Sequence, residues 1–389
     1  MPTKRTAWKE AAWVFVLSRV VIIVITFVGS ARFPLSGRAS MRGCDVDINA
    51  CLLSWLHWDV NAYSIIAQHG YLSERDTVFF PLWPLLVHWP GVLFGASFYA
   101  YYAASTLLAN VCFYLALVVF YKLISEDFEA TVAKNALFYM AFYPYSLFFF
   151  AGYAESLFLL LCLSVFFFLR RGNPPDWWLA GLCGFLAALT RPPGSVLAVP
   201  FLIVFLQRFW FHGGRQQTNW HQKIQAFTPI ALIPLGVIVF MLYLGYTKGN
   251  PFLSSVEEAV SWHRHLSAPW SGPFLAIKAL FDPTFPRILN VLDLTFTLMP
   301  LLALVIGWKR LPLHYSLFAL VMVLFALGYP QGTNVPLTAA PRYMMVIFPI
   351  IVLFALWGKH PRFDKLFLAF SLPLFAVNIV LFISHYWVA

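Results

Sequence analysis

Apolar stretches recur along the whole chain, near residues 11–30, 99–121, 135–152, 153–170, 177–191, 194–211, 227–246, 288–307, 312–328, 342–358 and 366–386, with charges and prolines between them. A helix that crosses a bilayer needs roughly 17–25 predominantly apolar residues. The eleven runs therefore predict an all-α polytopic membrane bundle of about 11 transmembrane helices, built as one domain over residues 1–389. Segment 79–98 is apolar too, but Pro81, Pro84 and Pro90 interrupt it. It is expected to dip into the bilayer as a re-entrant or juxtamembrane element.

Composition agrees with the pattern. Of 389 residues, 61% are hydrophobic and 11% charged, whereas a soluble domain carries about 25% charged residues. That much apolar surface needs lipid to cover part of it. The start, "MPTKRTAWKEAAWVFVLSRVVIIVITFVGS", has the basic flank of a secretory signal. Its apolar run is longer than a signal core and no cleavage site follows, so it is expected to stay as a first transmembrane helix.

A net charge of +10 would suit nucleic acid only if the basic residues shared a face or an arm. They lie instead in short connections between apolar runs, where they act as topology signals. With the N-terminus in the cytoplasm, the inner connections hold fifteen Lys and Arg against six acids, and the outer ones ten of each sign. The long connections 31–98 and 247–290, and a shorter one at 329–341, then face outward. No G-x-x-x-x-G-K and no Rossmann fingerprint is present, which excludes an ATP-driven pump within this chain. No internal repeat of the kind many transporters show is visible either.

Against this background a few residues stand out. Asp59, in "LHWDVNAYSIIAQHG", begins a helical pattern that Gly70 ends. An acid there suits an N-cap and also suits a catalytic base. His57, Trp58 and Tyr63 around it would wall a membrane-level site for a sugar ring. Glu155 stands alone in "FYPYSLFFFAGYAESLFLLL"; an ionisable group in an apolar run marks function unless it snorkels from a helix end. Arg191 in "AALTRPPG", Arg264 in "VSWHRHL" and Arg342 in "TAAPRYMMVIFP" fall at outer ends of runs. Their planar forks suit a lipid-linked phosphate, although each taken singly also suits a snorkelling anchor. Asp282 and Asp293 are expected to pair with these arginines or to cap helices. Cys112, Cys162 and Cys183 read as small core residues. Cys44 and Cys51 suit a disulfide if their loop faces an oxidising compartment. No zinc-like spacing occurs, and Asp45 and Asp47 are the candidate ligands for a divalent cation that nothing in the pattern demands.

Five blocks together carry a family resemblance: "WLHWDVNAYSIIAQHGY" with "FFPLWPLL", "FYPYSLFFFAGYAESLFLLL", "GFLAALTRPPG", "GNPFLSSVEEAVSWHR" and "PRYMMVIFPI". Their order over residues 55 to 350 resembles the PIG-V family, the second mannosyltransferase of GPI-anchor assembly, and its bacterial relatives. The resemblance implies a GT-C glycosyltransferase fold whose outer loops form the active site. It implies a polyprenyl-phosphate-linked sugar as donor, a glycolipid, glycan or protein as acceptor, and no cofactor beyond an optional divalent cation. It also implies that Asp59 is the catalytic base, with Glu155 and Arg191 in motif positions. The compact chain and its ending "ISHYWVA" point to a prokaryotic relative, hence the plasma membrane; a eukaryotic one would sit in the endoplasmic reticulum.

The expected reaction is an inverting transfer of mannose at the extracytoplasmic face. The alternatives are a flippase or transporter of a lipid-linked or polar substrate, a non-catalytic scaffold subunit, or the same enzyme acting on another sugar.

Overall fold

A computed structural model describes residues 4–32, 48–211, 219–282, 284, 287–332 and 335–388. Cys44, Asp45 and Asp47 lie outside these. Among the described residues the chain is helical and has no strand, only an isolated antiparallel bridge between Arg264 and Gln331. In chain order the helices are α1 (Lys4–Arg32), α2 (Ile48–Leu53), α3 (Asp59–His69), α4 (Leu82–Leu93), α5 (Phe98–Asp127) and α6 (Ala130–Ala141). Then follow α7 (Glu155–Arg171), α8 (Pro174–Thr190), α9 (Ala198–Leu206), α10 (Trp220–Phe227), α11 (Leu232–Lys248) and α12 (Leu253–Ser261). The last six are α13 (Ser271–Leu280), α14 (Arg287–Gly307), α15 (Leu313–Leu327), α16 (Ala340–Met345), α17 (Phe348–Trp357) and α18 (Pro361–Ile383).

Six helical stretches are long and apolar enough to cross a membrane: Arg5–Arg32, Phe98–Asp127, Pro192–Trp210, Trp220–Lys248, Arg287–Arg310 and Pro361–Ile383. The other apolar runs form shorter helices, such as the 17 residues of α7 and of α8. The proline-broken segment folds as the 12-residue α4, with Pro90 inside it; that length spans about 18 Å at 1.5 Å per residue, too little for the hydrocarbon core.

The chain divides into two compact units. The first comprises Met1–Gly70, Pro84–Ser156 and Phe354–Ala389. In it α1 packs against α5, α6 and α18, while α3 lies on α5. Small residues permit the close approach: Ala100, Ala104, Ala109 and Ala116 line the buried side of α5, and Gly29 of α1 faces Val380 and Ile383 of α18. Ser97 caps α5, its Oγ accepting the Ala100 amide at 3.2 Å.

The second unit comprises Tyr71–Trp83 and Leu157–Leu353. Its tightest helix pair is α8 with α11. Gly181 there faces the Pro229 carbonyl and Gly236 faces the Phe185 carbonyl; a methyl group at either would sit 2.5 Å from oxygen. In the same unit α12 packs on the turn Glu74–Val78, where Arg75 lies 4.4 Å over the Trp262 ring.

Candidate active site

In the first unit, α3 carries Asp59 as its first residue. The cap position belongs to Trp58, which makes no side-chain cap bond, so the expectation of Asp59 as an N-cap is corrected. The carboxylate instead sits within the first turn, where the positive helix end favours an anion. Trp58 holds φ 53° and ψ −132°, a conformation that costs a tryptophan roughly 1–3 kcal/mol and is kept only where its surroundings enforce it. Those surroundings are aromatic: Trp387 meets the Trp58 ring edge-on at 4.8 Å. His57 stacks on His385 at 4.4 Å and lies 4.3 Å from Phe382. Burial, and then the charge of His385, push the His57 imidazole down to about 3, so it is neutral at ordinary pH.

The rest of α3 is anchored. The His88 ring Nδ1 lies 2.7 Å from the Ala67 carbonyl, Gln68 donates to the Ala96 carbonyl at 3.1 Å, and Gly70 ends the helix at φ 76°. Tyr63 is buried with Val60, Ser64, Ile66 and Ala67 on the helix that packs against α5, so it supports the α3 backbone from the protein side. Cys51, on the preceding helix α2, is disulfide-bonded.

Glu155 begins α7 and is 2% exposed, which removes the snorkelling alternative. The segment before it, 142–154, reads as apolar span but is not a regular α-helix: α6 stops at Ala141, a 3-10 turn covers Ser146–Phe149, and α7 starts at Glu155. Its freed carbonyls are taken by side chains, as a low-dielectric setting requires. Ser371 donates to Phe142 at 2.6 Å, Asn378 to Pro144 at 2.9 Å, and Asn110 to Phe150 at 3.0 Å. The Phe149 carbonyl receives both Arg19 Nη2 at 2.9 Å and Ser156 Oγ at 3.2 Å. Arg19 also donates from Nε to Asn110 at 2.7 Å and lies 4.6 Å from the Phe15 and Phe113 ring centroids. Sequence reasoning passed over Arg19, although a lone cation within "FVLSRVVIIV" was the available signal.

The second unit brings the three predicted arginines together. Arg191, Arg264 and Arg342 stand 4.8, 5.9 and 5.8 Å from the centroid of the Tyr343 ring. Each is buried, at 7%, 8% and 9% exposure, so none is a snorkelling anchor. Arg264 donates from Nη1 to the Tyr343 hydroxyl at 3.1 Å and from Nη2 to the Thr338 carbonyl at 3.2 Å. Its Nε has no hydrogen-bond partner among the described residues. Local chain geometry explains the placement. Pro192 and Pro193 stop α8 and hold Arg191 extended, with its amide still on the Ala187 carbonyl at 3.0 Å. His263 at φ 54° and Ala339 at φ 67° turn the backbone, and Gly332 ties to the His263 carbonyl at 2.8 Å. Tyr343, the hub of the cluster, was not singled out from the sequence.

The two remaining acids divide. Asp282 caps locally, its Oδ1 accepting the Thr284 amide at 2.9 Å and hydroxyl at 2.6 Å. Asp293, buried at 4% exposure in α14, makes neither an ion pair nor a cap among the described residues, against expectation. No group of three His, Cys, Asp or Glu among the described residues is placed to hold a metal ion.

A family model described as Mannosyltransferase (PIG-V) matches residues 13–263. A GPI alpha-1,6-mannosyltransferase 2 from Rattus norvegicus is 32% identical over 195 residues, covering 48% of this chain and 39% of that protein. A GPI mannosyltransferase from Caenorhabditis elegans, pigv-1, is 26% identical over 227 residues, covering 52% of this chain and 33% of that protein. The match thus spans well under half the length of these relatives. Among solved structures, the Archaeoglobus fulgidus oligosaccharyltransferase tethered with an acceptor peptide aligns over 96% of this chain and 55% of its own, with a TM-score of 0.48 and 12% identity. ArnT from Cupriavidus metallidurans in the apo state aligns over 92% and 62%, with a TM-score of 0.49 and 15% identity.

Proposed function

The chain belongs to the mannosyltransferase (PIG-V) family, and on that premise we propose that it is a GT-C-type integral-membrane mannosyltransferase. It transfers mannose from a polyprenyl-phosphate carrier to an acceptor hydroxyl on a glycolipid, glycan or protein, with inversion. The observation that carries this is the convergence of Arg191, Arg264 and Arg342 on Tyr343. Three buried guanidiniums in one place suit an anionic ligand, and their flat donor forks match phosphate oxygens.

In this scheme the arginines hold the donor phosphate. Asp59 accepts the proton of the acceptor hydroxyl, whose oxygen bonds to the anomeric carbon. The bond from that carbon to the phosphate oxygen breaks, and its electron pair leaves with the phosphate, where the arginines stabilise the growing charge. Glu155, fixed at the start of α7, acts as a second carboxylate toward the acceptor. His57 and Trp58 contribute apolar and polar walls for a sugar. A divalent cation is not required by this scheme. The connections 31–98 and 247–290 are each extracytoplasmic in this reading, with the N-terminus in the cytoplasm; the disulfide at Cys51 supports an oxidising compartment for the first of these.

Transfer of labelled mannose from purified polyprenyl-phosphate-mannose to extracted membrane lipids and glycans tests the proposal, with wild type and Asp59→Asn compared in one detergent. Transfer that disappears in a folded Asp59→Asn protein supports donor, class and base together. Equal transfer by both proteins removes Asp59 as the base, and inactivity of the wild type with this donor overturns the mannosyl assignment.

A further inference from the structure

On α14, Asn290, Asp293 and Thr297 fall three and four residues apart, so they share one face, and all are buried: 0%, 4% and 0% exposed. The same face continues with Phe296, Pro300, Ala303 and Leu304, so the polar groups are set into apolar packing. The helix packs against α16, which carries Arg342 and Tyr343.

Two of these groups lack partners. Asp293, 4% exposed, has no hydrogen bond or ion pair among the described residues, and the Thr297 hydroxyl is buried without a hydrogen-bond partner. Thr190, Thr228, Thr247 and Thr295 all donate to the carbonyl four residues back, at 2.7 to 2.8 Å, the usual way a helix satisfies a threonine. A carboxylate buried without a partner is more costly still. Groups this expensive are kept where something absent from the folded chain completes them.

The chemistry of the pair narrows what that is. Three side-chain oxygens, two from Asp293 and one from Thr297, are too few for a hard divalent cation, which takes six or more, and no group of three acids, histidines or cysteines is gathered there among the described residues. A carboxylate accepts from two adjacent hydroxyls at once, and a threonine hydroxyl both donates and accepts. We propose that Asp293 and Thr297 form a subsite for vicinal hydroxyls of the donor sugar. This rests on the lipid-phosphate function given above to the arginines, because α14 packs against α16, which carries Arg342.

The test uses the full-length protein in detergent, with its melting temperature followed in polyprenyl phosphate and in polyprenyl-phosphate-mannose. The wild type is expected to be stabilised more by the sugar-bearing lipid. In Asp293→Leu the two lipids should stabilise equally, the ligand-free protein should melt no lower than wild type, and the donor KM should rise about 10–100-fold, the worth of a charged hydrogen bond. Thr297→Val should move the same way by a smaller factor. A sugar-dependent difference that survives in both variants overturns the subsite, as does a lowered melting temperature of ligand-free Asp293→Leu, which would make the carboxyl a structural group. Equal stabilisation of the wild type by both lipids removes the subsite alone and leaves the phosphate function standing. No stabilisation by either lipid removes both.

Discussion

Arg264 donates to the Tyr343 hydroxyl at 3.1 Å while its guanidinium carbon lies 5.9 Å from the centroid of the same ring. The ring thereby orients a cation that Arg191 and Arg342 also approach. Tyr343 thus works as a spacer that holds three like charges close. Tyr343→Phe keeps the ring and loses the hydroxyl, so it should cost transfer only about 2–10-fold, the worth of a neutral hydrogen bond. Arg264→Lys loses the fork, and should cost about 10–100-fold. Steady-state kinetics with the lipid donor check both; a lysine variant as active as wild type would mean that Arg264 does not touch phosphate.

Asp59 and Glu155 separate by what their removal does. Removing a general base slows a reaction by about a hundred- to ten-thousand-fold, so Asp59→Asn should lower kcat by that order with little change in melting temperature. Glu155 is 2% exposed, and Glu155→Gln keeps its size and most of its hydrogen-bonding capacity. It should lower transfer by a smaller factor, about tenfold if it only orients the acceptor through one charged hydrogen bond. Single-turnover rates and thermal melts on both variants decide; a Glu155→Gln loss larger than that of Asp59→Asn would exchange the two roles.

Much of this architecture was legible before any coordinates. Long apolar runs such as 99–121 became helices because lipid tolerates no other backbone. The arginines were legible one by one, from their type and from their places at the outer ends of apolar runs. Their meeting was not, since residues 191, 264 and 342 are far apart in sequence and only tertiary folding joins them. Tyr343 escaped because one tyrosine among 17 carries no signal until its neighbours are known. The interruption at 142–154 escaped for a different reason: Phe, Tyr and Ala make it as apolar as a helix, and what breaks it, the polar groups of Arg19, Asn110 and Asn378, comes from other helices. Asp293 was expected to be paired because buried acids in proteins usually are; a missing partner leaves no trace in sequence.

The His57–His385 stack gives the protein a built-in sensitivity to acid. Burial and the neighbouring imidazole lower the folded value of His57 to about 3, against about 6.5 in the unfolded chain. Between those values the unfolded state binds the proton and the folded state does not, so stability falls as pH drops from about 6.5 toward 3, by at most about 1.4 kcal/mol per pH unit. Above pH 6.5 the contribution is fully present. His57→Phe keeps an aromatic ring in the stack and removes the titration. Its melting temperature should therefore depend less steeply on pH between 6.5 and 4 than that of the wild type; parallel curves would refute the assignment.

Arg19 carries the strongest case for a buried charge that organises backbone. Its Nη2 holds the Phe149 carbonyl at 2.9 Å and its Nε holds Asn110 at 2.7 Å, while Asn110 itself holds the Phe150 carbonyl at 3.0 Å. Helices α1 and α5 thus grip two consecutive carbonyls in the segment that delivers Glu155. Arg19→Leu removes a costly buried cation, which favours the variant, yet it leaves the Asn110 acceptor buried without its donor, at about 1–3 kcal/mol. The net effect should be destabilising, and Asn110→Leu alone should destabilise too, since Arg19 then loses its acceptor. In the double variant neither group is left stranded by the other, so its loss should fall short of the sum by about 0.5–3 kcal/mol. Denaturation of the four proteins in one detergent measures that coupling. Strict additivity would mean that Arg19 and Asn110 hold their carbonyls independently and that the bond between them contributes nothing.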